Sequence, residues 1–170
     1  MNVHDPDFLD AIESLPTTDW AGSVWRHMFN DYTPDRVNIT GARWNPPEVG
    51  AIYTAFARDT AIAEGQHAID VQSRPFHTRR VVYEVGVSVS SLVDLTQPGA
   101  LGTVGLHVGD IQSDDFTACQ NVGGAAAWLE RGGLIVPSAR AAGGNLVILV
   151  GTASKYDDMQ VISKEVIEER

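Results

Sequence analysis

An α+β fold is what this sequence predicts, and three observations carry the prediction. Short strand-like segments are interleaved with only a few helical ones. The clearest strand, residues 79–89 (RRVVYEVGVSV), is dense in β-branched residues. No strand-to-helix turn carries the glycine spacing of a phosphate loop or a dinucleotide fold, which argues against a Rossmann arrangement. The 170 residues, 44% hydrophobic and 20% charged, suffice for a single domain with a proper core. No repeat, low-complexity run or linker divides them.

Taken in order, residues 5–15 (DPDFLDAIESL) place Phe8, Leu9, Ile12 and Leu15 on one helical face. Residues 24–29 read as a short strand, and a polar loop follows through GARWNPPE (41–48). In that loop Arg43 and Trp44 stand between a Gly-Ala approach and a rigid Asn-Pro-Pro exit. Residues 50–55 (GAIYTA) form a second strand. Asp59 or Thr60 can cap a helix running to about Val71. After the strand at 79–89, residues 92–95 suggest another short one, 98–103 a helical turn and 105–109 a loop.

Residues 113–130 predict a helix closed by Gly132-Gly133 as a C-cap. Gly123 and Gly124 inside it cost helix stability, which implies close backbone packing or a break. Residues 134–137 and 145–151 (NLVILVG) read as buried strands, and 160–167 as an edge strand.

Composition excludes several classes. The net charge of −10, with only 12 scattered Lys and Arg, lacks the basic stripe of a nucleic-acid binder and suits a basic protein partner or solubility alone. The longest apolar run, near 146–150, is too short to span a bilayer. The N-terminus (MNVHDPDFLD) has acids where a signal peptide needs basic then apolar residues, so a cytoplasmic location is expected. Cys119 stands alone and reads as a small buried residue. His27, His67, His77 and His107 share no metal-ligand spacing, so no metal is expected. Ser138 lacks the context of a nucleophile elbow.

Three polar residues fall where the surrounding pattern buries or half-buries them. Arg26 lies in the strand between Trp25 and His27, Arg43 in the stiff loop, and Glu64 among small residues on the helix. Tyr53 adds a flat ring with a hydroxyl tip. Guanidinium forks clamp phosphate in bidentate fashion. A lone carboxylate can orient a ribose hydroxyl or stabilise an oxocarbenium-like centre. Together they suit a nucleotide whose N-glycosidic bond is to be broken. The alternative left open by spacing alone is a structural Arg26–Glu64 ion pair with Tyr53 as core.

The order of motifs resembles the RES domain family, the toxin halves of bacterial RES–Xre toxin–antitoxin pairs. VWRH with Arg26 is followed by GARWNPPE, AIYTAF with Tyr53, AIAEGQH with Glu64, DDFTACQNVGGAAAWLERGG, GLIVPSAR with Ser138 and the strand after Asn145. The match spans residues 25–151. The family's arginine, glutamate and serine fall on Arg26 or Arg43, Glu64 and Ser138.

The resemblance implies a compact domain with a split mixed sheet, like that of ADP-ribosyltransferase toxins, that grips NAD as substrate. It also implies an Xre-type helix-turn-helix antitoxin covering the active site, so that DNA contact belongs to the partner. In that setting Arg26 and Arg43 are expected to hold the pyrophosphate or nearby hydroxyls, and Tyr53 to pack beside nicotinamide. Glu64 is expected to stabilise the oxocarbenium, Ser138 to bond nicotinamide or ribose, and Trp128 to line the pocket. Arg140 is a further candidate phosphate contact. The expected activity is cleavage of the nicotinamide–ribose bond by water or phosphate. Alternatives are ADP-ribosylation of a protein target and a catalytically silent partner-binding module.

Overall fold

A computed structural model describes residues 5–71, 79–151 and 159–168. Helix α1 (Pro6–Glu13) starts where Asp5 accepts hydrogen bonds from the backbone N–H groups of Asp7 and Phe8, with Pro6 opening the first turn. It buries Phe8 and Ile12. Strand β1 (Thr17–Phe29) is longer than its apolar part predicts. Its polar, exposed first half is extended because it pairs antiparallel with β3 along its length, Thr17 opposite Val93 through Phe29 opposite Arg80. Tertiary pairing here overrides weak local preference.

Strand β2 (Gly50–Ala55) occupies the expected residues, and helix α2 (Arg58–Asp70) follows. The expected cap at Asp59 or Thr60 does not form. Ala57 is the N-cap, with no side-chain cap bond, and the Thr60 hydroxyl donates instead to the Ala142 carbonyl. Strand β3 (Arg80–Asp94) joins two segments that read as separate, with Ser91 at φ 57° near the joint. The short helices α3 (Ala100–Thr103) and α4 (Val108–Gln112) come next, α4 arising partly from the expected loop.

Helix α5 (Thr117–Trp128) starts later than predicted, where Asp115 accepts from the Thr117 N–H and hydroxyl. Its exit is also different: the left-handed residue is Glu130 (φ 57°), while Gly133 opens strand β4 (Gly133–Pro137). Strands β5 (Gly144–Val150) and β6 (Gln160–Glu168) complete the fold. No described helix is long and apolar enough to cross a membrane.

The strands pair in the order β1-β2-β5-β4-β3-β6, and β1 also pairs with β3, so five strands curl back on themselves. The β3–β4 pair is parallel and the others antiparallel. Closure is incomplete, because β1 meets β2 at the single pair Trp25–Ala55. The sheet is split at that point, as the resemblance implies.

Val24, Ile52, Val81, Val85, Leu146 and Ile148 form one core on the inside of the curl. On the other face Trp44, Leu134, Val136, Val147 and Leu149 pack with Ile12 of α1 and with Cys119, Val122 and Ala126 of α5. Ala61 of α2 packs separately against Ala55 and Val82. This places α2 beside the opening between β1 and β2.

Candidate active site

The loop carrying Arg43 is held from both ends and from beneath. Asn38 accepts at Oδ1 from the backbone N–H groups of Thr40 and Gly41. Asn45, fully buried, donates from Nδ2 to the carbonyls of Asn38 and Val49. Gln120 of α5 donates to the Ala42 carbonyl. Trp44 is 2% exposed, and its carbonyl oxygen lies so close to α5 that a Cβ at Gly123 would collide with it. The helical glycine flagged by the sequence is therefore the seat of this loop. Tyr53 bolts the loop to β2: its hydroxyl accepts from the Trp44 N–H (2.9 Å) and donates to Asn45 Oδ1 (2.6 Å). Burial raises the Tyr53 pKa, so the hydroxyl stays protonated as the donor.

Glu64 and Ser138 meet across the fold. Ser138 Oγ donates to Glu64 Oε1 at 2.8 Å, and Asn145 Nδ2 donates to Oε2 at 3.0 Å. Ser138 Oγ also accepts from the N–H groups of Arg140 and Ala141, at 3.3 Å each, in the turn joining β4 to β5. Asn145 is itself fixed by a bond to the Thr54 carbonyl. The carboxylate is thus oriented by donors from two strand ends. Burial raises the Glu64 pKa, and the Ser138 and Asn145 hydrogen bonds and the nearby Arg140 charge pull it back.

Arg26, Tyr53 and Glu64 line one cleft of about 890 Å³ at the β1–β2 opening. The ion pair left open by the sequence is not what forms. Arg26 Nη1 donates to the carbonyls of Pro34 (2.5 Å) and Arg36 (2.8 Å), in the segment that lines one side of the cleft, while Glu64 binds Ser138 and Asn145. Burial lowers the Arg26 pKa to about 10, which leaves it cationic at neutral pH. The small-residue surface around Glu64 receives a neighbouring side chain: the His27 ring occupies the space a Cβ at Gly65 would need. Arg80, 7% exposed, donates from Nε to His27 Nε2 at 3.0 Å. Burial and the Arg80 charge lower the His27 pKa to about 4.

Other predicted residues lie elsewhere. Arg43 does not line the cleft: its Nη1 donates to the Ser113 (2.7 Å) and Asp110 (3.3 Å) carbonyls, and its guanidinium carbon lies 4.5 Å over the centre of the Phe116 ring. The loop aims it at the α4–α5 junction because those carbonyls have no further helical turn to bond them. Trp128, in the last turn of α5, is 61% exposed and is not among the cleft residues. Arg140 pairs with Asp114 at 3.5 Å. His77 lies outside the described residues. Among those described, no group of three or more His, Cys, Asp or Glu side chains could hold a metal ion.

Sequence reasoning missed Asn145 as a partner of Glu64. The signal available was a polar amide opening an otherwise apolar strand, which a buried position must satisfy with hydrogen bonds.

The chain is 29% identical over 147 residues to proteins named NAD(+) phosphorylase MbcT from Mycobacterium tuberculosis and Mycobacterium bovis, covering 82% of this chain and 79% of the relative. A solved structure, the M. tuberculosis MbcT–MbcA toxin–antitoxin complex, contains a chain that superposes with a TM-score of 0.81 at 26% identity, covering 96% of this chain and 93% of that one. The RES domain family model matches residues 6–167, so this chain belongs to the RES domain family.

Proposed function

We propose that this chain is the toxin of a toxin–antitoxin pair and cleaves the nicotinamide–ribose bond of NAD, with inorganic phosphate as acceptor. The observation that carries the reading is Glu64, held by Ser138 and Asn145 on the wall of a cleft that also bears Arg26. The phosphorylase named among the relatives supports phosphate over water as the acceptor.

In this mechanism the bond between C1′ of the ribose and the pyridinium nitrogen breaks, and its electron pair goes to nicotinamide, which leaves neutral. Positive charge grows on C1′ and the ring oxygen. The ionised Glu64 carboxylate stabilises it, and its fixed donors mean that little reorganisation is needed. A phosphate oxygen then bonds to C1′, giving ADP-ribose phosphate. Arg26 supplies positive charge toward the dinucleotide phosphates, and the Tyr53 ring packs on the nicotinamide side. Ser138 and Asn145 position Glu64. Arg43 acts indirectly, by keeping the Trp44 loop in place behind Tyr53, and Trp128 takes no part.

The partner in this reading is an Xre-type helix-turn-helix antitoxin that covers the cleft; the toxin–antitoxin complex among the similar structures supports an antitoxin partner. DNA contact then falls to the partner, which suits a toxin of net charge −10.

The test follows nicotinamide release from NAD by purified protein, with and without phosphate. Phosphate-dependent release and a phosphorylated ADP-ribose product are expected. Wild type that releases nicotinamide no faster than Glu64→Gln overturns the reading, and label retained on a protein points to ADP-ribosyl transfer instead.

A further inference from the structure

Resting on the NAD reading, we propose that Arg36, braced on Tyr32 at the rim of the cleft, is the clamp for the dinucleotide pyrophosphate. Tyr32 and Arg36 line the same cleft as Arg26, Tyr53 and Glu64, but at its exposed edge. The Arg36 guanidinium lies 3.7 Å over the Tyr32 ring. That contact braces the cation on the ring without using a hydrogen-bond donor. Among the described residues the Arg36 side chain makes no hydrogen bond of its own, so its forked donors are open to a ligand.

The backbone beneath it is fixed. The Arg36 carbonyl accepts from Arg26 Nη1 at 2.8 Å, the Arg36 N–H donates to the Thr33 carbonyl, and the Thr33 hydroxyl donates to Asp35. Arg26 Nη1 is taken up by two carbonyls, so this nitrogen acts as a strut for the turn that carries Arg36.

Charges of both signs meet at this site. Burial is the main influence on the Arg26 pKa, and Asp35 acts on it more strongly than Arg36 does and in the opposite sense. An anion that bridges the two arginines relieves their mutual repulsion, while the Asp35 carboxylate works against it, so recognition rests on the open Arg36 fork. In a chain of net charge −10, a dianionic diphosphate needs such a local concentration of positive charge to enter. The Tyr32–Arg36 pair, with 45% of Tyr32 exposed, places one such cation at the entrance, with Glu64 further along the wall.

The experiment measures binding of ADP-ribose and of adenosine to wild type, Arg36→Gln and Arg36→Lys, with melting temperature as the folding control. Arg36→Gln is expected to weaken ADP-ribose binding about tenfold or more, with adenosine unaffected and Arg36→Lys recovering part of the loss. In turnover the same change raises KM for NAD far more than it lowers kcat. Equal ADP-ribose affinity in wild type and Arg36→Gln overturns the proposal, as does an equal loss for adenosine. Wild type that binds ADP-ribose through Arg36 yet releases no nicotinamide refutes the NAD-cleavage reading and leaves the clamp standing.

Discussion

Arg26 and Arg43 each donate one guanidinium nitrogen to two backbone carbonyls, yet one does so inside the cleft and the other behind it. Arg26 sits on β1, whose pairing with β3 fixes where the side chain points. Arg43 sits on a loop that needs its own scaffold: two asparagines, Tyr53, Gln120 and a glycine on α5. The stiffness of GARWNPPE therefore serves packing. Tyr53 is the link between the regions, because its hydroxyl anchors the loop while its ring faces the cleft. A rigid, charged loop thus marks a place where packing is concentrated, while the cleft beside it is built on regular elements.

The sharpest way to separate the two regions is Glu64→Gln. It should lower kcat for nicotinamide release about 10²–10³-fold with a much smaller change in KM, since the carboxylate counts most in the transition state. Circular dichroism should show an unchanged fold; a kcat within threefold of wild type would remove Glu64 from the chemistry. On the loop side, Gly123→Ala forces a methyl group into the Trp44 carbonyl and should destabilise the fold by about 3 kcal/mol, read from urea unfolding.

The arginine pair tests the comparison directly. Arg43→Gln leaves helix-end carbonyls less well bonded and should cost about 1–3 kcal/mol of stability with a minor effect on KM. Arg26→Gln should instead raise KM for NAD about tenfold or more. If the two variants behave alike, the division between scaffold and cleft is wrong.

A smaller effect concerns His27, whose folded pKa of about 4 lies below its ordinary 6.5. The unfolded chain takes up a proton first as the pH falls. The stability this site contributes is therefore complete above pH 6.5 and is lost toward pH 4. Allowing for the solvent the ring still sees, the loss should be about 1–2 kcal/mol. His27→Gln should flatten that part of the stability–pH curve. The smallest effect is expected from Ser138→Ala. Glu64 works ionised, and its pKa is already raised by burial. Removing the Ser138 donor raises it further, so the acid limb of kcat/KM should move to higher pH. An unmoved limb would mean that Ser138 does not tune Glu64.

Much of the architecture was legible beforehand where local pattern and tertiary context agree. Residues 50–55 read as a strand because nearly every side chain is apolar, and their neighbours on β5 bury them. Gly123 and Gly124 pointed to close packing or a break in the helix, and Gly123 proved to be the close approach, under the Trp44 carbonyl. The start of β1 was not legible: residues 17–23 are mostly polar and extended only because β3 lies alongside. The cap expected on α2 failed for a related reason: the helix starts at Ala57, and the Thr60 hydroxyl donates to the Ala142 carbonyl across the fold where a cap would accept from a backbone N–H.

Periodicity, residue type and motif order are local properties of the chain, and they were enough to read the α+β class, most strands and the family. Packing in three dimensions set how the polar side chains combine. It brought Ser138 and Asn145 onto Glu64 from more than seventy residues away, directed Arg43 to helix-end carbonyls, and set Arg36 on Tyr32 at the cleft rim. The physical reason is that a polar side chain goes to whichever partner packing brings within about 3 Å, and separation along the chain does not reveal that partner.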